Sequence, residues 1–259
     1  TFETNVVGTV NVLECIRKTD SVKVAVLVAT DKCYENKEWE FGYRETDRLG
    51  GADPYSASKA CAEIVFHSYR KSFFEKQPEK KIASARAGNV IGGGDWAVDR
   101  IVPDCVRAWE NKKNPNIRNP KSTRPWQHVL EPLGGYLVLG ACLFQGQKDV
   151  IGQSFNFGPG QDAVQTVDVL LRKMTAEWGN DVSWIVATPL DSHKKESNLL
   201  QLNCDRAWNR LGWKSKLSFD EAVQMTTLWY QSHLKEPKSL VDLTKKQIAS
   251  YQIKLEANV

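Results

Sequence analysis

What this chain of 259 residues lacks narrows its chemistry before any motif is considered. It has no apolar run long enough to span a bilayer, and the residues after Thr1 show no secretory signal pattern. Neither sign of charge dominates: 35 Lys and Arg stand against 31 Asp and Glu, a formal net charge of +4. Lys80-Lys81 is only a pair, and Glu79 precedes it, so neither nucleic acid nor a membrane is an expected partner. The six cysteines, Cys15, Cys33, Cys61, Cys105, Cys142 and Cys204, have none of the paired spacings of metal ligands. No metal centre is expected, and reduced thiols in a cytoplasm are the natural reading. Internal repeats and low-complexity segments are missing as well. What remains, 41% hydrophobic and 25% charged residues, is the composition of a globular protein with one large or two small domains.

The most informative stretch runs from Val24 to Lys59. Val24-Ala25-Val26-Leu27-Val28-Ala29 is short, β-branched and unpunctuated, which predicts a fully buried parallel strand. Thr30-Asp31-Lys32 would then stand at the carboxyl end of that strand, where open α/β sheets place their ligands. Pro54 suits the first turn of a helix, and Ala57, Ala60, Cys61, Ile64 and Val65 carry its apolar pattern onward. Tyr55 and Lys59 share one face of that helix. A cation one turn from a phenol favours the phenolate. Tyrosine, lysine and a threonine hydroxyl together suit removal of a proton from an alcohol while a hydride leaves its carbon. The pair alone is a weak signal, because Tyr and Lys are ordinary on exposed helix faces; the strand ending Thr-Asp-Lys is what strengthens it.

Pro54-Tyr55-Ser56-Ala57-Ser58-Lys59, with Thr30 upstream, resembles the Tyr-x-x-x-Lys element and hydroxyl partner of the extended short-chain dehydrogenase/reductase family. Thr30 to Asn36, Ala85 to Trp96, Asp99 to Asp104 and Arg124 to Val129 resemble the nucleotide-sugar 4,6-dehydratases of that family, and the likeness runs to about Lys235. The resemblance implies an α/β fold: the later half of a doubly wound, Rossmann-like parallel sheet with a smaller C-terminal substrate-binding domain. It divides the chain into residues 1–95, a partial dinucleotide-binding domain with the catalytic residues, 96–240, mainly nucleotide-sugar-binding, and a tail, 241–259. No Gly-x-x-Gly-x-x-Gly stands between a strand and a helix, and Gly92-Gly93-Gly94 comes too late to serve. The expectation is a first half lying outside these residues, roughly three βαβ units at about 30 residues each.

The implied reaction is dehydration of CDP-glucose, with NAD as internal hydride carrier. Thr30, Asp31, Lys32, Tyr55 and Lys59 are the implied catalytic residues. Thr30, Tyr55, Lys59 and Ala87 are implied for the cofactor, and Asn5, Asn89, Arg100, Ile117, Asn119 and Arg124 for the substrate. Arg124 fits an arginine on diphosphate oxygens, for which a guanidinium fork is suited. Relatives acting on dTDP-glucose carry Asp-Glu after the threonine, as acid and base; here Lys32 holds the base position, either as base or as stabiliser of an enolate. A homodimer through the helices beginning near Thr4 and Tyr55 is also implied. A 4-epimerase would share Thr30, Tyr55 and Lys59 but would need no acid and base after the threonine, and a non-catalytic nucleotide-sugar binder is the other alternative.

Elsewhere, helices are predicted over Thr4–Arg17, Val167–Trp178, Leu202–Leu211 and Phe219–Leu234, and a strand over Ile82–Ala87. Phe155–Gly158 reads as a strand and turn of the substrate domain. Trp39, Phe41 and Tyr43 read as local packing in a long loop, and His128 as a core residue. The charged tail beyond Pro237 is expected to be loosely attached.

Overall fold

The structure, a computed structural model, describes residues 1–179, 182–187 and 200–257. In chain order its elements are α1 (Gly8–Lys18), β1 (Val24–Thr30), α2 (Pro54–Ser72), β2 (Lys81–Ala87), β3 (Val90–Ile91), α3 (Ile101–Glu110), β4 (Asn116–Ile117), β5 (Thr123–Pro125), β6 (Gln127–His128), α4 (Leu130–Gln145), β7 (Ser154–Phe157), β8 (Val164–Thr166), α5 (Val167–Trp178), β9 (Ile185–Val186), α6 (Asp205–Leu211), α7 (Phe219–Lys235) and α8 (Leu240–Glu256). They form two units, each built from three separate stretches. The first is Thr1–Gly88, Pro132–Gly158 and Leu200–Ser215; the second is Asn89–Glu131, Pro159–Leu199 and Lys216–Val259. The boundary expected near residue 95 thus falls at 88/89, and two later stretches return to the first unit.

The first unit is α/β and doubly wound. Its sheet has the order β1-β2-β7, all parallel. Parallel neighbours need crossovers, and α2 supplies the one from β1 to β2. Leu13 and Ile16 of α1, Phe66 of α2 and Ile82 of β2 form a core with Ala25 and Leu27 on one face of the sheet. On the other face Gly140 of α4 lies over Val26. The register pairs Thr30 with Ala87, and Ala87 with Phe157, so the three strands end level.

Two expectations are corrected in this unit. β1 is parallel but not fully buried: it is the outer strand of the described sheet, and Val28 is 57% exposed. The segment expected in the substrate domain, Phe155–Gly158, instead supplies β7, because a short apolar strand reads the same in any sheet and its partner is chosen by register over distance. Helix α6 begins only at Asp205; Leu202 runs extended beside Tyr43, where the Tyr43 N–H donates to the Gln201 carbonyl at 2.8 Å. The amino-terminal helix opens with a wide π-helical turn, Glu3–Val7, before α1.

The second unit packs α3, α5 and α7 around Val106, Trp109, Leu170, Met174, Val223 and Tyr230. Small strand pairs decorate it: β3 with β6 and β4 with β9 in parallel, and β5 with β8 antiparallel. Ser218 and Glu221 close a reciprocal capping box at the start of α7. The tail is a docked helix, not a loose end. The Trp229 indole donates to Thr244 Oγ1 at 3.0 Å, Gln247 Nε2 donates to the Met225 carbonyl at 2.9 Å, the Tyr251 hydroxyl donates to Glu131 Oε2 at 3.0 Å and Lys254 pairs with Glu221 at 2.6 Å. These four positions follow one helical stripe, which the surrounding charges conceal in the sequence.

Candidate active site

Helix α2 starts where Asp53 caps it. Asp53 Oδ1 accepts from the Tyr55 and Ser56 N–H groups at 2.9 and 3.0 Å, and Pro54 takes the first helical position, where no N–H is needed. Gly51 lies directly on the backbone of Ser56 and Ala57, closer than any side chain would allow. The cap and this contact fix the first turn and, with it, Tyr55. The Tyr55 ring is 44% exposed. Among the described residues neither its hydroxyl nor the half-buried Lys59 ammonium, one turn on, makes a hydrogen bond. The Asn5 amide donates to Ser58 Oγ at 2.9 Å, and Ser58 Oγ donates to the Tyr55 carbonyl at 2.7 Å. Asn5 is therefore tied to the same helix turn.

Thr30 ends β1 and the chain at once makes a 3₁₀ turn, Asp31–Cys33. The Thr30 hydroxyl donates to Asp31 Oδ1 at 3.0 Å and accepts from the Lys32 N–H at 3.4 Å. Its proton is thus engaged with Asp31. Asp31 is 4% exposed. Burial pushes its carboxyl up to about 6, against the opposing pull of the Thr30 hydroxyl and the Lys32 charge. Lys32 turns outward, with Nζ 6.0 Å over the Tyr55 ring. The first unit therefore assembles a carboxylic acid that keeps its proton into the mildly acidic range, an exposed lysine, a tyrosine and a second lysine at the carboxyl end of its sheet. Ala87 ends β2 level with Thr30.

The remaining expected residues belong to the second unit. Asn89 is half-buried just before β3, and Arg100 is exposed at the start of α3, after Asp99 in the left-handed region at φ 61°. Ile117 packs in the core and its carbonyl accepts from the Ala187 N–H at 2.9 Å, so its side chain is not offered to a ligand. Asn119 is half-buried in a turn closed by the Ser122 N–H, 3.2 Å from its carbonyl. Arg124 lies on β5 and donates from Nη1 to the Thr123 carbonyl at 2.7 Å. His128 is a core residue: Nδ1 accepts from the Leu130 N–H at 3.3 Å, and burial pushes the imidazole down to about 4. Trp39 and Tyr43 pack with ring centres 5.4 Å apart, as local packing requires, whereas Phe41 is largely exposed at the edge of Trp39.

One group of residues escaped the sequence reading. Arg86 and Glu63, 0% and 2% exposed, form a buried ion pair between β2 and α2. The signal was an arginine inside the otherwise small and apolar Ile82–Ala87, since a charge in a buried strand demands a counter-charge.

The comparisons agree with this architecture. The family model of GDP-mannose 4,6 dehydratase matches residues 1–226. The CDP-glucose 4,6-dehydratase of Salmonella typhimurium is 43% identical over 256 residues, which cover 97% of this chain and 70% of that protein. The dTDP-glucose 4,6-dehydratase of Streptomyces antibioticus is 26% identical, over 89% of this chain and 64% of its own length. Among solved structures, dTDP-glucose 4,6-dehydratase from Bacillus anthracis, in complex with NAD, superposes with a TM-score of 0.71 at 22% identity, covering 93% of this chain and 71% of that one. UDP-glucose 4-epimerase from Thermotoga maritima superposes with 0.75 at 19% identity, covering 90% and 71%, and these two likenesses speak for the fold. A match spanning most of the chain, together with a relative so similar in sequence, means that the chain belongs to the GDP-mannose 4,6 dehydratase family, within the extended short-chain dehydrogenases/reductases.

Proposed function

We propose that the protein removes water from CDP-glucose to give CDP-4-keto-6-deoxyglucose, with NAD bound throughout. The observation that carries this reading is the Thr30-Asp31-Lys32 turn against Tyr55: a buried carboxyl whose proton affinity burial raises, and a lysine beside a tyrosine. An epimerase has no use for that acid and base. The choice of cytidine rests on the likeness to the Salmonella typhimurium enzyme.

The donor set suits the cofactor. Lys59 and the Tyr55 hydroxyl have no partner among the described residues, the Tyr55 ring lies beside Lys32 just after the end of β1, and Thr30 and Ala87 end their strands level, so these four would hold NAD. When bound, NAD would supply a hydride acceptor and donor within one turnover, so that no net redox would result. The chain's own groups move the protons. Tyr55, as phenolate supported by the Lys59 charge, takes the proton of the C4 hydroxyl as that carbon becomes a ketone. The ketone acidifies the C5 proton, which Lys32 receives in its neutral amine form. The C5–C6 double bond forms as the C6–O bond breaks, and Asp31 protonates the departing hydroxyl to water. C5 then regains a proton when C6 is reduced, and the sum is sugar minus water. Asn89, Arg100, Asn119 and Arg124 are the proposed substrate-binding residues of the second unit, with Asn5 in the first.

Full-length protein incubated in turn with CDP-glucose, dTDP-glucose, UDP-glucose and a GDP-hexose tests this reading. CDP-glucose is expected to lose one water by mass spectrometry while the others stay unchanged. Preferred turnover of another nucleotide would overturn the cytidine assignment, and a product of unchanged mass would overturn dehydration.

We further propose a soluble homodimer joined through the outer faces of α1 and α2, where Val7, Val12 and Ile64 are exposed and alanines allow close approach. Among the described residues no helix is long and apolar enough to cross a membrane. Sedimentation of the full-length protein is expected to give a dimer; a stable monomer at micromolar concentration would end this proposal.

A further inference from the structure

The buried polar network of the first unit has more structure than an ion pair needs. Arg86 Nε donates to Glu63 Oε2 at 2.9 Å, and Nη2 donates to the same oxygen. Nη2 also donates to Ser154 Oγ at 3.2 Å, while Nη1 donates to the Tyr34 hydroxyl at 2.8 Å and the Glu45 carbonyl at 3.2 Å. The Tyr34 hydroxyl, accepting from Arg86, donates onward to Asn156 Oδ1 at 2.7 Å. Asn156 Nδ2 donates to the carbonyls of Tyr43 and Asn203 at 2.8 and 3.1 Å, and its N–H donates to Glu45 Oε1 at 2.9 Å. The Tyr34 ring stacks on Tyr43 at 5.3 Å.

Two ends of this network lie beside the chemistry. Glu63 is on α2, one turn after Lys59 and two after Tyr55. Tyr34 directly follows the Asp31–Cys33 turn, and its N–H donates to the Asp31 carbonyl at 3.3 Å. The network therefore joins the helix that bears Tyr55 and Lys59 to the turn that bears Asp31 and Lys32. Fully satisfied buried polar groups hold one arrangement sharply, because every alternative leaves a donor or acceptor unpaired. A buried ion pair is weak evidence for stability, and replacement by apolar residues is often neutral. Holding an acid and a base to within fractions of an ångström of reacting atoms is a sufficient reason to keep one.

We infer that Tyr34 is a positioning residue for the elimination half of the reaction, fixing the Asp31–Lys32 turn against helix α2 through Arg86, Glu63 and Asn156. The inference rests on the dehydratase reading of the site. Oxidation at C4 depends on Tyr55 and Lys59, which α2 holds without Tyr34. Elimination depends on Asp31 and Lys32, which sit on the turn that Tyr34 anchors. Removing the hydroxyl should therefore divide the two halves, where a merely structural residue would weaken both or neither.

Tyr34→Phe in the full-length enzyme keeps the ring and its stacking. Its kcat on CDP-glucose is expected to fall about 10- to 100-fold with KM within about twofold of wild type. Reduced cofactor should accumulate in stopped-flow absorbance, because oxidation continues while elimination lags. Asn156→Ala removes the acceptor of the same hydroxyl from β7 and is expected to give the same accumulation; it stands in should Tyr34→Phe fail to fold, as judged by circular dichroism. Folded variants whose reduced cofactor stays at the wild-type level would overturn the inference while leaving the function intact. A wild-type protein that dehydrates none of the four sugar nucleotides would remove the functional reading, and this inference with it.

Discussion

Lys32→Ala is expected to abolish exchange of the C5 proton of CDP-glucose with deuterated solvent, while transient absorbance from reduced cofactor survives. The expectation follows from the division of labour in the site. In the proposed mechanism Tyr55 and Lys59 on α2 serve the C4 hydroxyl, and Lys32 on the 3₁₀ turn, with Nζ 6.0 Å over the Tyr55 ring, serves C5. A positioned general base contributes on the order of 10² to 10⁴ in rate, so overall turnover should fall by about that factor. The side chain is exposed and makes no ion pair among the described residues, so the substitution removes a reactive amine without opening a cavity. C5 exchange that continues undiminished would remove Lys32 from the base role and leave it as a charge that stabilises the enolate.

Asp31→Asn should behave differently: oxidation at C4 and C5 exchange persist, and loss of water slows by a comparable factor. Asparagine keeps the shape and can still meet the Thr30 hydroxyl, but it has no proton to give a departing hydroxide. The wild-type acid carries its own pH signature. Burial raises the carboxyl to about 6, so the protonated, useful form is present below that value and is lost as pH rises through it. Elimination should therefore show an alkaline limb near pH 6 in kcat/KM, absent in the variant. Stability runs the same way. A carboxyl raised on folding contributes stability that is full below its ordinary value near 4 and disappears as pH rises through about 6. Above that pH the wild type holds an ion in a dry place and Asp31→Asn does not, so the variant should be more stable by about 3 kcal/mol in denaturant titrations at pH 8. A variant that is less stable there, or that loses water at the wild-type rate, would contradict the assignment of Asp31 as the acid.

Where the reading of the chain succeeded, the physics was local. The β-branched run of β1 and the Pro54 start of α2 depend on neighbours within a few residues. Where it failed, the deciding partner was distant. Val28 was expected inside and lies largely exposed, because burial of a strand depends on what covers its faces and edge. β7 went to the main sheet because of its register with β2. The stripe Thr244, Gln247, Tyr251 and Lys254 docks α8 through polar atoms, and a polar stripe gives no hydrophobic period to find.

The sequence by itself determined the order of the candidate groups: a hydroxyl, an acid and an amine after one strand, then a tyrosine and a lysine one turn apart on the next helix. Those are matters of spacing, and spacing is written in the chain. Only the tertiary structure decided that Asp31 is buried enough to have its proton affinity raised, that the Thr30 hydroxyl is turned to it, and that Lys32 stands over Tyr55. It also decided that Arg86, Glu63, Tyr34 and Asn156 join turn to helix. Proton affinity and orientation depend on what is excluded from around a group, and water is excluded only by segments that meet when the chain is folded.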